Sequence, residues 1–256
     1  MAKVFLSAGH GGNDPGAVGN GLKEKDLNLW IMSACAAFLE SAGVKVVCSR
    51  TRDENDPVAE EVREANASNA DIAISFHNNA GGGDGSETWY YTNSAESQLM
   101  AKLMEEASKQ LGQNSRGYKP TTSLYFLNKT KMPAVLVETA FIDNTTDIQI
   151  ANTKEKAHAF GIVYATAICK YLNISYNVKE EVDTKYIIKV KCDLNIRADA
   201  GIEYPIVGCI KGEEAKYKYT IVAKKYAADG GIWGLLKSGA GWINISEKYV
   251  TYFKEV

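Results

Sequence analysis

The chain has 256 residues, of which 29 are Lys or Arg and 31 are Asp or Glu, giving a formal net charge of −2. This balance lacks the basic excess of a nucleic-acid-binding protein, so we expect no nucleic-acid partner. No apolar run approaches the roughly 20 residues that span a bilayer, and the N-terminus "MAKVFLSAGHGG" lacks the apolar core of a signal peptide. We therefore expect no membrane anchor and a protein made in the cytoplasm.

Up to about residue 173, apolar strands alternate with amphipathic helices. The first helix is predicted to be capped by Asp26 and to end at Gly43. The other predicted elements, in chain order, are strands at residues 4–8 and 44–49, a helix at 58–69, strands at 71–77 and 87–92, a helix at 95–111, a strand at 134–139 and a helix at 154–172. This alternation predicts an α/β layered domain with a central, mostly parallel sheet flanked by helices.

The composition changes after residue 174. Residues 175–185 have little apolar periodicity and are predicted to be a linker. From residue 186 onward, short β-rich runs are separated by turn residues, which is typical of a small all-β barrel. The predicted organisation is a catalytic domain over 1–174, a linker over 175–185 and a second domain over 186–256.

The chain has five cysteines, an odd number, and none of them forms a CxxC pair. This pattern is neither a disulfide framework nor a cysteine metal site. We expect reduced thiols that are buried as small apolar residues. A nucleophilic cysteine is the alternative, and it would need a histidine nearby in space.

Two of the three histidines follow apolar strands. His10 and His77 each enter a loop rich in glycine or asparagine, and ligands of open α/β sheets bind beyond the carboxyl ends of the strands. Imidazole is a common zinc ligand, so two converging histidines favour a metal site. Two loop histidines that never meet are the alternative. His158 falls inside a predicted helix and is interpreted as a surface or packing residue.

Two acids are candidates for the same site. Glu24 lies just before the first predicted helix and could be a third ligand, or a first-turn acid that interacts with the helix dipole. Glu138 ends a strand predicted to be buried. It could be a general base that activates water, or a structural acid that accepts backbone N–H bonds.

Four segments together carry a family resemblance: "SAGHGGNDPGAVGNGLKEKDLNL", "RTRDENDPVAEEVREANASNADIAISFHNNA", "GSETWYY" and "KMPAVLVETAFIDN". They are similar, in the family order and over most of residues 3–172, to the zinc-dependent N-acetylmuramoyl-L-alanine amidases of the type 3 family. The motif positions of that family fall on His10, Glu24, His77 and Glu138. The resemblance implies that the first three bind Zn²⁺ and that Glu138 is the catalytic acid/base.

The tail carries a second resemblance, through "LNIRADAG" and "WGLLKSGAGWINISEKYV". These segments resemble bacterial SH3-like cell-wall-binding modules. Trp242 is interpreted as a packing residue of the small barrel.

The two resemblances imply a peptidoglycan hydrolase that cleaves the amide between N-acetylmuramic acid and the L-alanine of the stem peptide. A phage endolysin, acting on the wall after release from the cytoplasm, is the favoured interpretation. A sporulation or autolytic amidase, a non-catalytic wall-binding protein and a zinc carboxypeptidase on a related α/β fold are the alternatives. Peptidoglycan is the expected partner. Asn79 and Arg116 could reach substrate, but no residue is assigned as substrate-binding.

Overall fold

The structure is a computed structural model that describes residues 1–175, 186–202, 204–212, 217–227, 231–246 and 248–254. The chain divides into two compact units, Met1–Tyr176 and Asn177–Val256. The predicted linker, residues 175–185, lies outside the described residues except for residue 175. Each unit is described by itself below.

The first unit alternates strands and helices, as the sequence predicts. Its strands are β1 (Lys3–Ala8), β2 (Val18–Gly19), β3 (Leu22–Lys23), β4 (Lys45–Cys48), β5 (Ile72–Asn79), β6 (Ser86–Tyr91), β7 (Ser115–Thr121) and β8 (Ala134–Phe141). Its helices are α1 (Glu24–Ser41), α2 (Val58–Ser68), α3 (Ala95–Gln110), α4 (Tyr125–Lys129) and α5 (Lys154–Tyr171), with a short 3₁₀ helix at Asp147–Ile150.

Six of these strands form one sheet in the order β4-β1-β5-β8-β6-β7. Strands β4, β1, β5 and β8 are parallel, β6 runs antiparallel to β8, and β7 is parallel to β6. The predicted central, mostly parallel sheet flanked by helices is therefore confirmed. Because of this arrangement, the carboxyl ends of β1, β5 and β8 meet the amino ends of β6 and β7 at one edge.

Both faces of the sheet are covered. On one face, Phe5, Ala73 and Leu136 form a buried cluster with residues of α2 and α4. On the other face, Phe76 stacks on Tyr164 of α5, with ring centroids 5.7 Å apart. Burial on both faces explains why the central strands are continuous apolar runs rather than alternating ones.

Two details at the start of α1 differ from the sequence prediction. The helix begins at Glu24, with Lys23 at the N-cap and no side-chain capping bond, so Asp26 lies in the first turn and caps nothing. Glu24 is consequently the first residue of the helix and does not precede it. Gly43 follows the helix end at φ +81°, a left-handed conformation that favours glycine, as expected.

In its described residues, the second unit forms a seven-stranded antiparallel sheet. Its strands, in the sheet order β11-β10-β14-β13-β12-β9-β15, are Ile206–Ile210, Leu194–Arg197, Trp242–Asn244, Ile232–Leu236, Tyr219–Tyr226, Tyr186–Val190 and Val250–Lys254. Trp233 and Trp242 are buried together against Ala200 and Ala227, so the packing role expected of Trp242 is confirmed. The SH3-like barrel itself stays a prediction.

The five cysteines are free thiols. Cys35 and Cys169 are buried, as expected, but the expectation is wrong for Cys192 and Cys209, which are exposed. Cys209 lies on the edge strand β11 next to inward-facing Ile210, so the strand alternation turns the thiol outward. Within the described residues, no helix combines the length and apolarity needed to cross a membrane.

Candidate metal centre

The loop after β1 holds its histidine in an unusual backbone conformation. Gly9 donates its N–H to the carbonyl of Phe76 at 3.1 Å, which ties this loop to β5. His10 then adopts φ +67°, a left-handed conformation that is costly for a residue with a side chain. The imidazole Nδ1 lies 2.8 Å from Oδ2 of Asp14, which fixes the orientation of the ring. Backbone strain of this kind is concentrated at functional sites.

Glu24 bridges the two histidines. Its Oε1 lies 2.9 Å from Nδ1 of His77, and its Oε2 lies 3.2 Å from Nε2 of His10. The carboxylate also accepts backbone N–H bonds from Ala17 at 2.8 Å and from Asn78 at 3.1 Å. Only 4% of Glu24 is exposed, so the polar partners offset the cost of burying its charge.

Two glycines leave room for these side chains. A Cβ on Gly9 would lie 2.1 Å from Cε1 of His77, which is much shorter than a van der Waals contact with the ring. Gly16, at φ +64°, faces Glu24 and His10. A Cβ there would lie 2.6 Å from Oε2 of Glu24 and 2.6 Å from Cδ2 of His10. The cluster is therefore built around two positions at which any side chain would intrude.

The three side chains could hold a metal ion. One ligand atom from each of His10, Glu24 and His77 can be chosen so that all three lie within 4.8 Å of one another. Two imidazole nitrogens and one carboxylate oxygen form a donor set that zinc enzymes use, and three protein ligands leave one coordination position for water or substrate. The residues present therefore fit a catalytic zinc ion.

The same contacts shift the ionisation of the three groups. The hydrogen bond with Glu24 raises the pKa of His10 from 6.5 to about 9. Burial alone would raise the pKa of Glu24, but the hydrogen bonds from His10 and His77 outweigh it and hold that pKa well below its usual range. For His77, burial opposes ring protonation and the Glu24 hydrogen bond prevails, so its pKa is raised. In the metal-free protein, these contacts favour protons on the ring nitrogens that face Glu24.

Glu138 lies beside this cluster, on the neighbouring strand. It pairs in register with His77 across β5 and β8, so both side chains are on the same face of the sheet. Its Oε2 is buried and has no hydrogen-bond partner among the described residues. Burial raises the pKa of Glu138 from 4.5 to about 7. Such a carboxyl group can accept or release a proton near neutral pH.

The structure brings the four predicted residues to one edge of the sheet. The rings of His10 and His77 approach to a centroid distance of 5.2 Å, so the alternative of two histidines that never meet is wrong. Glu24 does lie in the first turn of α1, but its carboxylate contacts both imidazoles. His158 lies within α5, as expected.

Sequence reasoning named Arg116 as a residue that could reach substrate, but it missed the charged network that contains Arg116 on the next two strands. Glu87 of β6 pairs in register with Glu138 and is 5% exposed. Its Oε2 accepts from Nε of Arg116 at 2.8 Å and from Nζ of Lys119 at 2.5 Å, while its Oε1 accepts from Nδ2 of Asn79 at 3.0 Å. Both cations lie on β7, whose alternation of intermediate and exposed positions gave no apolar signal. The acid was visible only as a polar residue inside "GSETWYY".

A buried aspartate supports the loops at this edge. Oδ2 of Asp147, which is 5% exposed, accepts the backbone N–H of Gly85 at 2.9 Å and that of Phe141 at 2.7 Å. Its Oδ1 accepts from Nε2 of Gln113 at 2.7 Å. Asp147 therefore joins the entry to β6 and the end of β8.

Comparison with known proteins gives consistent matches. The N-acetylmuramoyl-L-alanine amidase family model matches residues 4–170. The N-acetylmuramoyl-L-alanine amidase CwlM of Bacillus licheniformis is 36% identical over 181 residues, or 69% of this chain and 71% of CwlM. The endolysin of Bacillus phage SPP1 is 34% identical over 272 residues and 97% of both chains. Among solved structures, the catalytic domain of the amidase CwlV from Bacillus (Paenibacillus) polymyxa var. colistinus is similar with a TM-score of 0.64 and 27% identity, covering 68% of this chain and 100% of that one.

Proposed function

Because the chain belongs to the N-acetylmuramoyl-L-alanine amidase family, we propose that it hydrolyses peptidoglycan with a zinc ion held by His10, Glu24 and His77. The bond cleaved is the amide between the lactyl group of N-acetylmuramic acid and the L-alanine of the stem peptide. The observation that carries the proposal is the convergence of two imidazoles and a carboxylate within 4.8 Å at the mouth of the sheet.

When bound, Zn²⁺ supplies Lewis-acid chemistry, which polarises an amide carbonyl and makes water more acidic. Other contacts within the chain orient the proposed ligand side chains before the ion binds. Glu24 orients His77 and His10 through its two oxygens, and Asp14 orients His10 from the other side of the ring. Asp14 contacts the ring nitrogen of His10 that faces away from Glu24, and a carboxylate in that position fixes the orientation of a ligand imidazole.

Glu138 is the proposed proton carrier. Its carboxylate accepts a proton from the water whose oxygen attacks the amide carbonyl. The C–N bond then breaks, and the same carboxyl returns the proton to the departing alanine nitrogen, leaving a lactyl carboxylate and a free amine. A pKa near neutrality suits both transfers, and a cation held by the neighbouring His77 would further favour the ionised form that begins the cycle.

Mass spectrometry of defined muropeptides tests this proposal. The zinc-loaded full chain should release an intact stem peptide with a new N-terminal alanine, and a chelator should abolish the release. Release of single amino acids would indicate a carboxypeptidase instead. No cleavage of several peptidoglycan types by the zinc-loaded chain would favour the non-catalytic wall-binding alternative.

We further propose that residues 1–174 form the catalytic domain and that residues 186–256, joined by the linker 175–185, form an SH3-like wall-binding module. The antiparallel sheet with buried Trp233 and Trp242 supports this assignment. The full-length Glu138→Gln chain should sediment with purified sacculi more strongly than the same chain ended at residue 174. Stoichiometric zinc in the shorter chain controls for its folding. Equal sedimentation would contradict the assignment.

The biological role that we propose is that of a phage endolysin. The match to the SPP1 endolysin supports it, because it extends over 97% of this chain and therefore includes both units. Bacteria expressing the chain should lyse only after a pore-forming agent is added. Lysis without the agent would contradict a role that depends on release through the membrane.

A further inference from the structure

A row of charged side chains crosses four neighbouring strands at the mouth of the sheet. His77 pairs in register with Glu138, and Glu138 pairs with Glu87. Opposite Glu87, the register between β6 and β7 shifts, so that Arg116 and Gly117 together oppose this one residue. Gly117 adopts φ +87°, which suits the extra residue of a bulge. The bulge therefore brings Arg116 to the end of a row that starts at the proposed metal ligand.

Arg116 is held in place but retains unused donors. Its Nε donates to Glu87, and its Cζ lies 5.0 Å from the ring centroid of Phe141, at the end of β8. The side chain remains 40% exposed. Among the described residues, no acceptor bonds to its two terminal nitrogens. A guanidinium fixed at Nε and free at both Nη atoms presents the fork that binds a carboxylate in a bidentate manner.

The local charge favours an anion. Glu87 carries one negative charge and contacts two cations, Arg116 and Lys119. The trio therefore has one uncompensated positive charge, in a position where Lys119 is 33% exposed. Lys119 also lies 5.3 Å above the ring of Trp89, which restricts its movement. A substrate group that carries one negative charge would balance the trio.

The spacing suits the second residue of the stem peptide, which follows the L-alanine of the scissile bond. Adjacent strands are about 4.8 Å apart, so β7 is roughly 10 Å from β8 at the backbone, and the Arg116 side chain folds back toward the end of β8. In a stem peptide, the carboxyl carbon of the second residue lies at most about 6 to 7 Å from the nitrogen of the first. With the amide beside Glu138, that carboxylate comes within reach of the guanidinium.

We propose that Arg116, supported by Glu87 and Lys119, binds the free α-carboxylate of the second stem-peptide residue. This inference rests on the proposed function, since it orients the stem peptide along the row from Glu138 to Arg116. Such a carboxylate is a charged ligand when it is free and a neutral one when it is amidated. Arg116 is thus a specificity-determining residue that distinguishes the free acid from the amide.

The test compares two muramyl tripeptides that differ only in this group, one with D-glutamate and one with D-isoglutamine. We expect the zinc-loaded full chain to cleave the acid with a kcat/KM about tenfold higher, as for a charge-assisted bond at a partly exposed site. Arg116→Gln should lose this preference by slowing cleavage of the acid alone, chiefly through KM. Arg116→Lys should keep part of it. Lys119 still pairs with Glu87 in both variants, and stoichiometric zinc checks that they fold.

Arg63→Gln is the matched control, because Arg63 is an exposed arginine that pairs with Glu60 on α2. It should keep the wild-type preference. Equal loss on both substrates in Arg116→Gln, or no preference in the wild type, would overturn the inference. Calorimetric binding of both tripeptides to the zinc-loaded Glu138→Gln chain separates the two proposals. Tighter, Arg116-dependent binding of the acid without any wild-type cleavage would support the subsite and contradict the hydrolase.

Discussion

Replacing Gly16 with alanine should weaken zinc binding at the proposed metal centre, although Gly16 is not itself a proposed ligand. Gly16 lies at φ +64°, so any side chain there costs about 1 to 2 kcal/mol of folding free energy. Gly21 provides the matched control. It lies at φ +77°, and a Cβ there would meet nothing within 4 Å, so Gly21→Ala carries the conformational cost without a steric one.

The steric part of the effect follows from two distances. The new Cβ would lie 2.6 Å from both Oε2 of Glu24 and Cδ2 of His10. Each atom would have to retreat about 0.9 Å to reach an ordinary contact near 3.5 Å. Metal–ligand distances tolerate only about 0.2 Å. We therefore expect Gly16→Ala to weaken zinc binding by at least about 100-fold, which is more than the loss of a residue that merely orients a ligand.

Competition with a chromophoric chelator measures the zinc affinity, and urea unfolding of the metal-free variants measures the backbone cost. Gly16→Ala should lose at least as much stability as Gly21→Ala, because the clash with Glu24 and His10 adds to the backbone cost, while only Gly16→Ala loses zinc affinity. A Gly16→Ala chain that binds zinc as tightly as Gly21→Ala would refute the steric reasoning and would show that the ligands adapt to the intruding methyl group.

Three further predictions concern neighbouring groups. Glu138→Gln should retain stoichiometric zinc but lose turnover, whereas His77→Ala should lose both zinc and turnover. Metal analysis and a cleavage assay of each variant check this prediction. An active Glu138→Gln chain would contradict the role of Glu138 as proton carrier. Because the pKa of His10 is raised to about 9, the contribution of its protonated ring to the stability of the metal-free chain is complete below pH 6.5 and is lost as pH rises through 9. Zinc affinity should rise over the same pH range, because the proton leaves the ring. A melting temperature and a zinc affinity that both stay constant over this range would contradict the prediction. Asp147→Asn should lower the free energy of unfolding by about 2 kcal/mol. The amide NH₂ group would replace a carboxylate oxygen and face one of the three groups that now donate to Asp147, which are the N–H groups of Gly85 and Phe141 and Nε2 of Gln113. Chemical denaturation measures the loss, and an unchanged stability would indicate that the loop re-forms its hydrogen bonds.

Sequence patterns predicted the elements that are long and strongly periodic. The continuous apolar strands β1, β5 and β8 could be recognised because the sheet buries both of their faces. Strand β7, with the sequence "SRGYKPT", could not, because it is an edge strand that contains glycine and proline and buries none of its residues fully. The five-residue helix α4 is too short to show a helical period.

The site divides in a similar way. His10 and His77 could be placed at strand ends from the sequence, and the family resemblance suggested Glu24 and Glu138 as their partners. The contacts of Glu24 with both rings could not be foreseen, since they depend on the helix starting at that residue. Arg116 could be named from the sequence as a residue that could reach substrate, but its position could not be foreseen, because only the bulge at Gly117 sets it opposite Glu87.

The bridge that Glu24 makes between the two histidines has a consequence for storage and reactivation. Since ring protons can bridge to the same carboxylate oxygens when metal is removed, Glu24 and the two imidazoles can keep their arrangement without the ion. We therefore expect removal of the proposed zinc ion to be a reversible exchange of the metal for protons that requires no refolding. A chain depleted by a chelator should regain activity as soon as zinc is restored, which makes it a protein that can be kept dormant and switched on by its metal supply.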